Sequence, residues 1–406
     1  MKQRVTTDIN AGPKRLSADV LIVGGGIVGT SAALTLAKAG RKVVLLERDL
    51  CGSRSSGINY GGVRRQGRSV SQLPLAQRAH RIWEGLSDLI GIDGEYVRSG
   101  HFKLARSAAD MQALEAYAEL SKPFGLGIEL ISGERLRQQC PWLGGAVVGG
   151  SLCPEDGQAN PRLVSPAFAQ AAQRAGAHII ERCEVREAGY DGTAFSVRAE
   201  LSTGEGRQSL QVRAASLINC AGAWAGKLAE AFDEAVPMFS GHPNMAVTEP
   251  IPYFLPWSLG VEGGSIYCRQ VSRGNVVLGG GRGYAQDESR ARSSHDAILA
   301  LLPQAVDLLP ALRHVHIIRT WSGVEGYLPD RQPILGASST QDGLFHGFGF
   351  CGAGFQIGPA AGEVLADLVM HGRSDIPIDA FSIRRFQSTL PVADFNLASE
   401  PERKIQ

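Results

Sequence analysis

Residues 19–47 run through a pattern that few folds accommodate: a short apolar strand, a glycine-rich turn, an alanine-rich helix, a second strand and an acid. Residues 19–23 (DVLIV) read as a buried strand of a parallel sheet. Gly24, Gly26 and Gly29 then complete GxGxxG, with Ile27 and Val28 opening a helix that continues through residues 30–39 and closes at Gly40. Residues 42–46 form the second strand, which ends in Glu47 and Arg48. Each part has a physical task. Gly24 permits the tight turn, Gly26 removes the side chain where a pyrophosphate meets backbone amides, and Gly29 lets the helix lie close to the sheet. Glu47, 23 residues after Gly24, is placed to accept ribose hydroxyls and would repel a 2′-phosphate. Glycine makes up 50 of 406 residues, so the bare triplet carries little. Its position between strand and helix is what predicts a bound dinucleotide.

The next segment favours FAD over a nicotinamide. Residues 51–68 (CGSRSSGINYGGVRRQGR) are rich in glycine and serine and precede the helical pattern of residues 73–90. Such a stretch cannot pack as an apolar element, and it begins past the carboxyl end of a sheet strand, where ligands lie. A mobile surface loop is one reading. The other is a loop threaded along a long cofactor, with Ser55, Ser56 and Asn59 offering polar groups and Gly61 and Gly62 backbone contact.

The motif at residues 57–68 (GINYGGVRRQGR) resembles SGRNAGGVRxQGR of the FAD-dependent amine and amino-acid oxidoreductases, which include D-amino-acid oxidase, glycine oxidase and sarcosine oxidase. The β subunits of bacterial sarcosine, opine and hydroxyproline dehydrogenases look most similar. Later blocks extend the resemblance to about Val369: DGQANPR at 156–162, LINCAGAW at 217–224, RTWSGVEGYLPDRQPILG at 319–336 and GFGFCGAGFQIGPAAGEVLADL at 347–368. It implies a Rossmann-like α/β lobe of the glutathione-reductase type and an α+β substrate lobe built on a mixed sheet. The expected FAD lobe comprises 1–90, 152–224 and 318–385, the substrate lobe 91–151 and 225–317, and a tail 386–406. The implied cofactor contacts include Val185, Ala221, Gly222, Trp224, Cys351, Gly352, Gly354, Phe355 and Gln356. The helix start after Gly354 suits the electron-rich pyrimidine of a reduced flavin.

The implied chemistry is transfer of a hydride equivalent from the carbon beside an amine to flavin N5, giving an imine that hydrolyses. Electrons would pass to an acceptor or partner subunit. A self-contained peroxide-forming oxidase and a flavin-binding subunit without turnover are the alternatives, and a homo-oligomer is compatible with each. No side-chain base is required. A substrate carboxylate would need a cation, for which Arg64 is expected ahead of Arg65 and Arg68. Tyr267 (beside Arg269), Arg319, Trp321 and His346 are further candidates, with a structural histidine the alternative for His346. The family's arginine in GxRP is Glu325 here, followed by Gly326 instead of proline. A carboxylate facing the pocket would favour a substrate with an extra positive charge. Ala353 stands where many relatives have histidine. Gly323 occupies the place of the cysteine that binds FAD covalently in monomeric members, so noncovalent FAD is expected.

The remaining features exclude other classes. Lys+Arg 41 against Asp+Glu 40 gives no electrostatic footprint for nucleic acid. Seven scattered cysteines lack the spacing of a metal site and suit a reducing compartment. The first 18 residues are polar, and no apolar run is long enough to span a bilayer, so a cytoplasmic location is expected.

Overall fold

The computed structural model describes residues 14–387. Its first sheet is built outward from the strand Lys14–Val23, which pairs in parallel with Val43–Leu46 on one side and Gly206–Asn219 on the other. His178–Ile180 extends one edge in parallel, and Leu344–Phe348 the other. Ile334–Ala337 closes that second edge antiparallel. The central residues Leu21, Ile22 and Leu45 are buried, as a sheet covered on both faces requires. Phe195–Thr203 and Cys183–Tyr190 continue from Gly206–Asn219 as an antiparallel extension.

The helix Ile27–Lys38 starts directly from the first strand, and the C-terminal helix Gly354–His371 packs on it. Glycine makes that approach possible: a Cβ added at Gly362 would lie 2.6 Å from the Ala32 nitrogen. Ser31 Oγ donates to the Pro359 carbonyl at 2.9 Å, a bond that ties the two helices together. An early and a late helix of the described residues are thereby packed on each other.

The second sheet is mixed, in the order Ile317–Ser322, Pro243–Pro250, Asn275–Arg282, Tyr267–Gln270, Ser258–Val261, His101–Ala105, Gly149–Cys153 and Glu129–Ser132. Only Ser258–Val261 with His101–Ala105 is a parallel pair. The helix His295–Leu308, capped by the Ser294 hydroxyl, packs over it, and Phe102, Leu104, Leu259, Leu278 and Leu301 belong to its separate core.

The α/β fold with a mixed-sheet second lobe is therefore as expected, while some boundaries differ. Ile317–Ser322, expected from 318 onward in the first lobe, pairs with Pro243–Pro250 in the second sheet. Gly149–Cys153 also lies in that sheet, beyond the expected break at 151/152. In both cases strand pairing across the sheet edge outweighs the motif that follows in the chain. Residues 73–90 form two helices, Leu73–Glu84 and Leu86–Ile90, interrupted at Gly85. The expected tail lies outside the described residues from 388 onward.

Candidate functional site

The carboxyl end of Lys14–Val23 delivers the glycine turn. Gly24 has φ +109°, and a Cβ there would sit 2.2 Å from the Cys220 carbonyl oxygen. At Gly29 an added Cβ would lie 2.1 Å from the Gly24 carbonyl oxygen, so both glycines are demanded by the protein's own packing. Gly26 differs. Its nearest neighbour to an added Cβ is Ser56 Oγ at 3.1 Å, and its backbone (φ −71°, ψ 176°) suits any residue. Its lack of a side chain keeps the space in front of the helix start clear. The amides of Gly26 and Val28 have no acceptor among the described residues, whereas Ile27 N–H donates to Ser56 Oγ at 3.0 Å. These are the donors an anion at a helix N-terminus requires.

Glu47 is half-buried, and its two oxygens accept from the Gly25 amide at 2.6 Å and the Asp49 amide at 2.7 Å. Burial pushes its carboxyl up, against the pull of these two amides. A carboxylate has about four acceptor positions, so this geometry orients Glu47 and leaves capacity for two sugar hydroxyls. Arg48 lies over the Trp224 ring, 4.1 Å from its centroid, beside the Ala221–Gly222 return of the strand Gly206–Asn219. Val185 is farther along the sheet, on the antiparallel extension opposite Ala199.

The loop after Glu47 is an ordered short helix, Ser55–Ile58, rather than a mobile segment. Ser55 Oγ donates to the Val324 carbonyl at 2.6 Å, and Asn59 bridges the Ser55 and Ser56 carbonyls to the Gly61 amide. Gly61 has φ +86° and lies against the Ala159 carbonyl, which ties this loop to the DGQANP segment; Gly62 pairs with Gln158. At the opposite end of the cleft, Cys351 (φ +50°) and Gly352 (φ +81°) turn into Gly354–His371. The Gly354, Phe355 and Gln356 amides of that helix have no acceptor among the described residues. The donor set at both helix starts thus fits a flavin dinucleotide, with backbone rather than side chains as the contact: the Phe355 ring packs on Trp83 and the Gln356 side-chain Nε2 donates to the Ala76 carbonyl.

Arg64 is half-buried and donates to the Gln66 carbonyl. Its charge reaches the Tyr60 and Tyr267 phenols, whose titration burial drives upward. Those rings meet edge-on at 4.8 Å, and the Tyr60 hydroxyl is buried without a partner among the described residues. The charges of Glu325 and Arg64 both act on Tyr267.

Most other candidates take different roles. Arg65 is buried in an ion pair with Asp156 at 3.2 Å and Glu155 at 2.5 Å, so it is a strut between loop and second lobe. Arg68 is buried, with burial holding its guanidinium down at about 9. Arg319 is exposed on the edge strand opposite Val247; Trp321 is the exception, standing in the cross-strand row of Met245, Gly279 and Tyr267 and donating its N–H to the Ile58 carbonyl at 2.8 Å. His346 is fully buried against Glu234 at 2.7 Å, which corrects its reading as a residue of the ring site.

Burial pushes the Glu234 carboxyl up, but hydrogen bonds from His346, Ser339 and Ser338 outweigh it and hold the group at about 2. Because this lies below the ordinary 4.5, its stabilisation is complete above that pH and is lost as pH falls toward 2. His346→Ala, which strands the carboxylate, should cost about 3 kcal/mol. Thermal denaturation at neutral pH checks this, and a folded fraction with unchanged KM is expected.

Tyr60, Tyr327 and the role of Arg269 escaped the motif reading. Arg269 donates to the Tyr60 carbonyl at 2.7 Å and lies 5.6 Å from its ring centroid, which fixes the tyrosine within the loop. The aromatic inside an otherwise small and polar loop was the available signal for Tyr60.

The model of the FAD dependent oxidoreductase family matches residues 19–368. Sarcosine oxidase subunit beta of Arthrobacter sp is 27% identical, with 93% of each chain covered. Mitochondrial sarcosine dehydrogenase of Homo sapiens is 26% identical over 95% of this chain, which spans only 43% of that protein's length. Among solved structures, glycine oxidase of Geobacillus kaustophilus superposes with a TM-score of 0.83 at 24% identity, covering 93% of this chain and all of that one.

Proposed function

Because this chain belongs to the FAD dependent oxidoreductase family over residues 19–368, we propose that it oxidises the C–N bond of a small amine or amino acid. When bound, FAD supplies a two-electron acceptor for the hydride of the carbon beside the amine, and the resulting imine hydrolyses in water. The observation that carries the reading is a half-buried guanidinium, Arg64, whose charge acts on two half-buried tyrosines, Tyr60 and Tyr267, in edge-on contact at 4.8 Å. Arg64 grips the substrate carboxylate, and Tyr60 and Tyr267 exclude water around the amine-bearing carbon. The unpartnered Tyr60 hydroxyl supplies a further polar contact for a substrate group.

FAD is held noncovalently. Gly323 carries no thiol, and a Cβ there would have to displace the end of the Ile58 side chain, whose Cδ1 lies 2.1 Å away. The Cys351 thiol receives the Leu328 N–H at 3.3 Å and is pushed up to about 11 by burial, which suppresses the thiolate needed for attachment. Reducing equivalents pass to an acceptor or partner subunit, a reading supported by the full-length similarity to a protein named as a β subunit.

Anaerobic mixing of the purified protein with sarcosine, D-amino acids, proline derivatives and opines tests the assignment. At least one should bleach the flavin and yield a carbonyl product. Retention of oxidised FAD with every compound would overturn turnover and favour a flavin-binding subunit. Reoxidation by a dye without peroxide is expected; rapid peroxide formation in air would replace the acceptor reading with that of an oxidase.

A further inference from the structure

Glu325 is a half-buried carboxylate without a counter-cation. It lies on the short strand Glu325–Tyr327, which pairs with Phe239–Gly241 and runs beside the return at Ala221–Trp224. Gly326 makes that passage possible, since an added Cβ would sit 3.2 Å from the Ala223 Cα. The Tyr327 hydroxyl donates to Glu325 Oε2 at 2.8 Å, and the Tyr327 ring is itself fixed, stacked on Phe239 at 5.9 Å between centroids. The second carboxylate oxygen has no partner among the described residues, and it is not sealed within the core. Burial and the Tyr327 hydroxyl are the influences on this acid; no lysine or arginine among the described residues pairs with it.

A partly desolvated, uncompensated charge is costly unless a ligand meets it. Glu325 also faces the cofactor-side turn: its Oε2 lies 4.0 Å from the position of a Cβ at Gly352, just before the helix Gly354–His371, and its charge and that of Arg64 both act on Tyr267. We infer that Glu325, held by Tyr327, is a specificity residue that binds a second positive charge on the substrate, distal to the carboxylate bound by Arg64. The selected class is a basic amino acid or an N-substituted derivative of one. This inference rests on the proposed C–N oxidation, and its test is separable from it.

Binding is measured first, through perturbation of the flavin absorbance, with 6-aminohexanoate and hexanoate, which differ by one ammonium group. The FAD-loaded wild type should prefer 6-aminohexanoate by at least ~10-fold, the size of one charge-assisted hydrogen bond. Glu325→Gln, which keeps a hydrogen-bond acceptor for Tyr327, should abolish the preference with little effect on hexanoate or FAD content. Anaerobic flavin reduction is then compared for lysine and norleucine, each enantiomer separately, and kcat/KM should follow the same order. Equal binding of the two acids by the wild type, or an unchanged preference in Glu325→Gln, would overturn the inference. If 6-aminohexanoate is preferred but no amine reduces the flavin, the charge site stands and the oxidation reading fails. Reduction by lysine and norleucine alike removes the charge site and leaves the oxidation reading intact.

Discussion

Replacement of Arg64 by alanine should lower kcat/KM for an amino acid by about 10²–10³-fold, the equivalent of roughly 3–4 kcal/mol for an unpaired carboxylate in a desolvated pocket. The guanidinium is half-buried and donates to the Gln66 carbonyl, an arrangement that leaves further N–H groups in the same plane for a two-point grip. Arg64→Lys should recover only part of the loss, since an ammonium cannot reproduce the planar fork. FAD content should change little, because the amides proposed to hold the dinucleotide are those of Gly26, Val28 and Gly354–Gln356, which have no acceptor among the described residues. The decisive comparison is steady-state kinetics on an amino acid and on the matching amine without a carboxylate. Only the former should suffer. An equal loss for both, with FAD lost in parallel, would move Arg64 from the substrate to the cofactor.

The second large effect is expected at Gly26. Valine there should fold, because the backbone angles are ordinary and the only close neighbour is a serine hydroxyl. Its side chain would stand in front of the unpartnered amides, so FAD affinity should fall by at least ~10³-fold, about 4 kcal/mol. Circular dichroism and gel filtration should match the wild type while the protein emerges colourless. Gly24→Val is the contrasting case: φ +109° and the Cys220 carbonyl at 2.2 Å from an added Cβ make it a folding defect. A Gly26→Val protein that stays yellow with unaltered affinity would mean that the pyrophosphate approaches elsewhere.

Much of the fold could be read from local pattern. The first strand, turn and helix are short-range, and the periodic apolar positions of Gly354–His371 report its buried face directly. The edges of the second sheet were less legible. Ile317–Ser322 carries Arg319 and Thr320 outward, and nothing in that hexapeptide says that Pro243–Pro250, some seventy residues earlier, supplies its partner. The site divides in the same way. Arg64 stood out because guanidinium chemistry suits a carboxylate and the glycines before it bring backbone close to a ligand. Arg65, next in the chain, was separated from it only by Asp156 and Glu155, which are distant in sequence. His346 takes the structural role its sequence context left open, and its partner was hidden for the same reason: Glu234 comes from a different lobe segment, and no local pattern joins the two.

The shared premise is a flavin dinucleotide seated between two helix starts, and its content in the purified protein is the direct measurement. The chain, expressed with flavin available, should carry close to one FAD per molecule, all of it released by denaturation and none left attached to peptide. A colourless protein that takes up no FAD on reconstitution, although folded, would contradict the account.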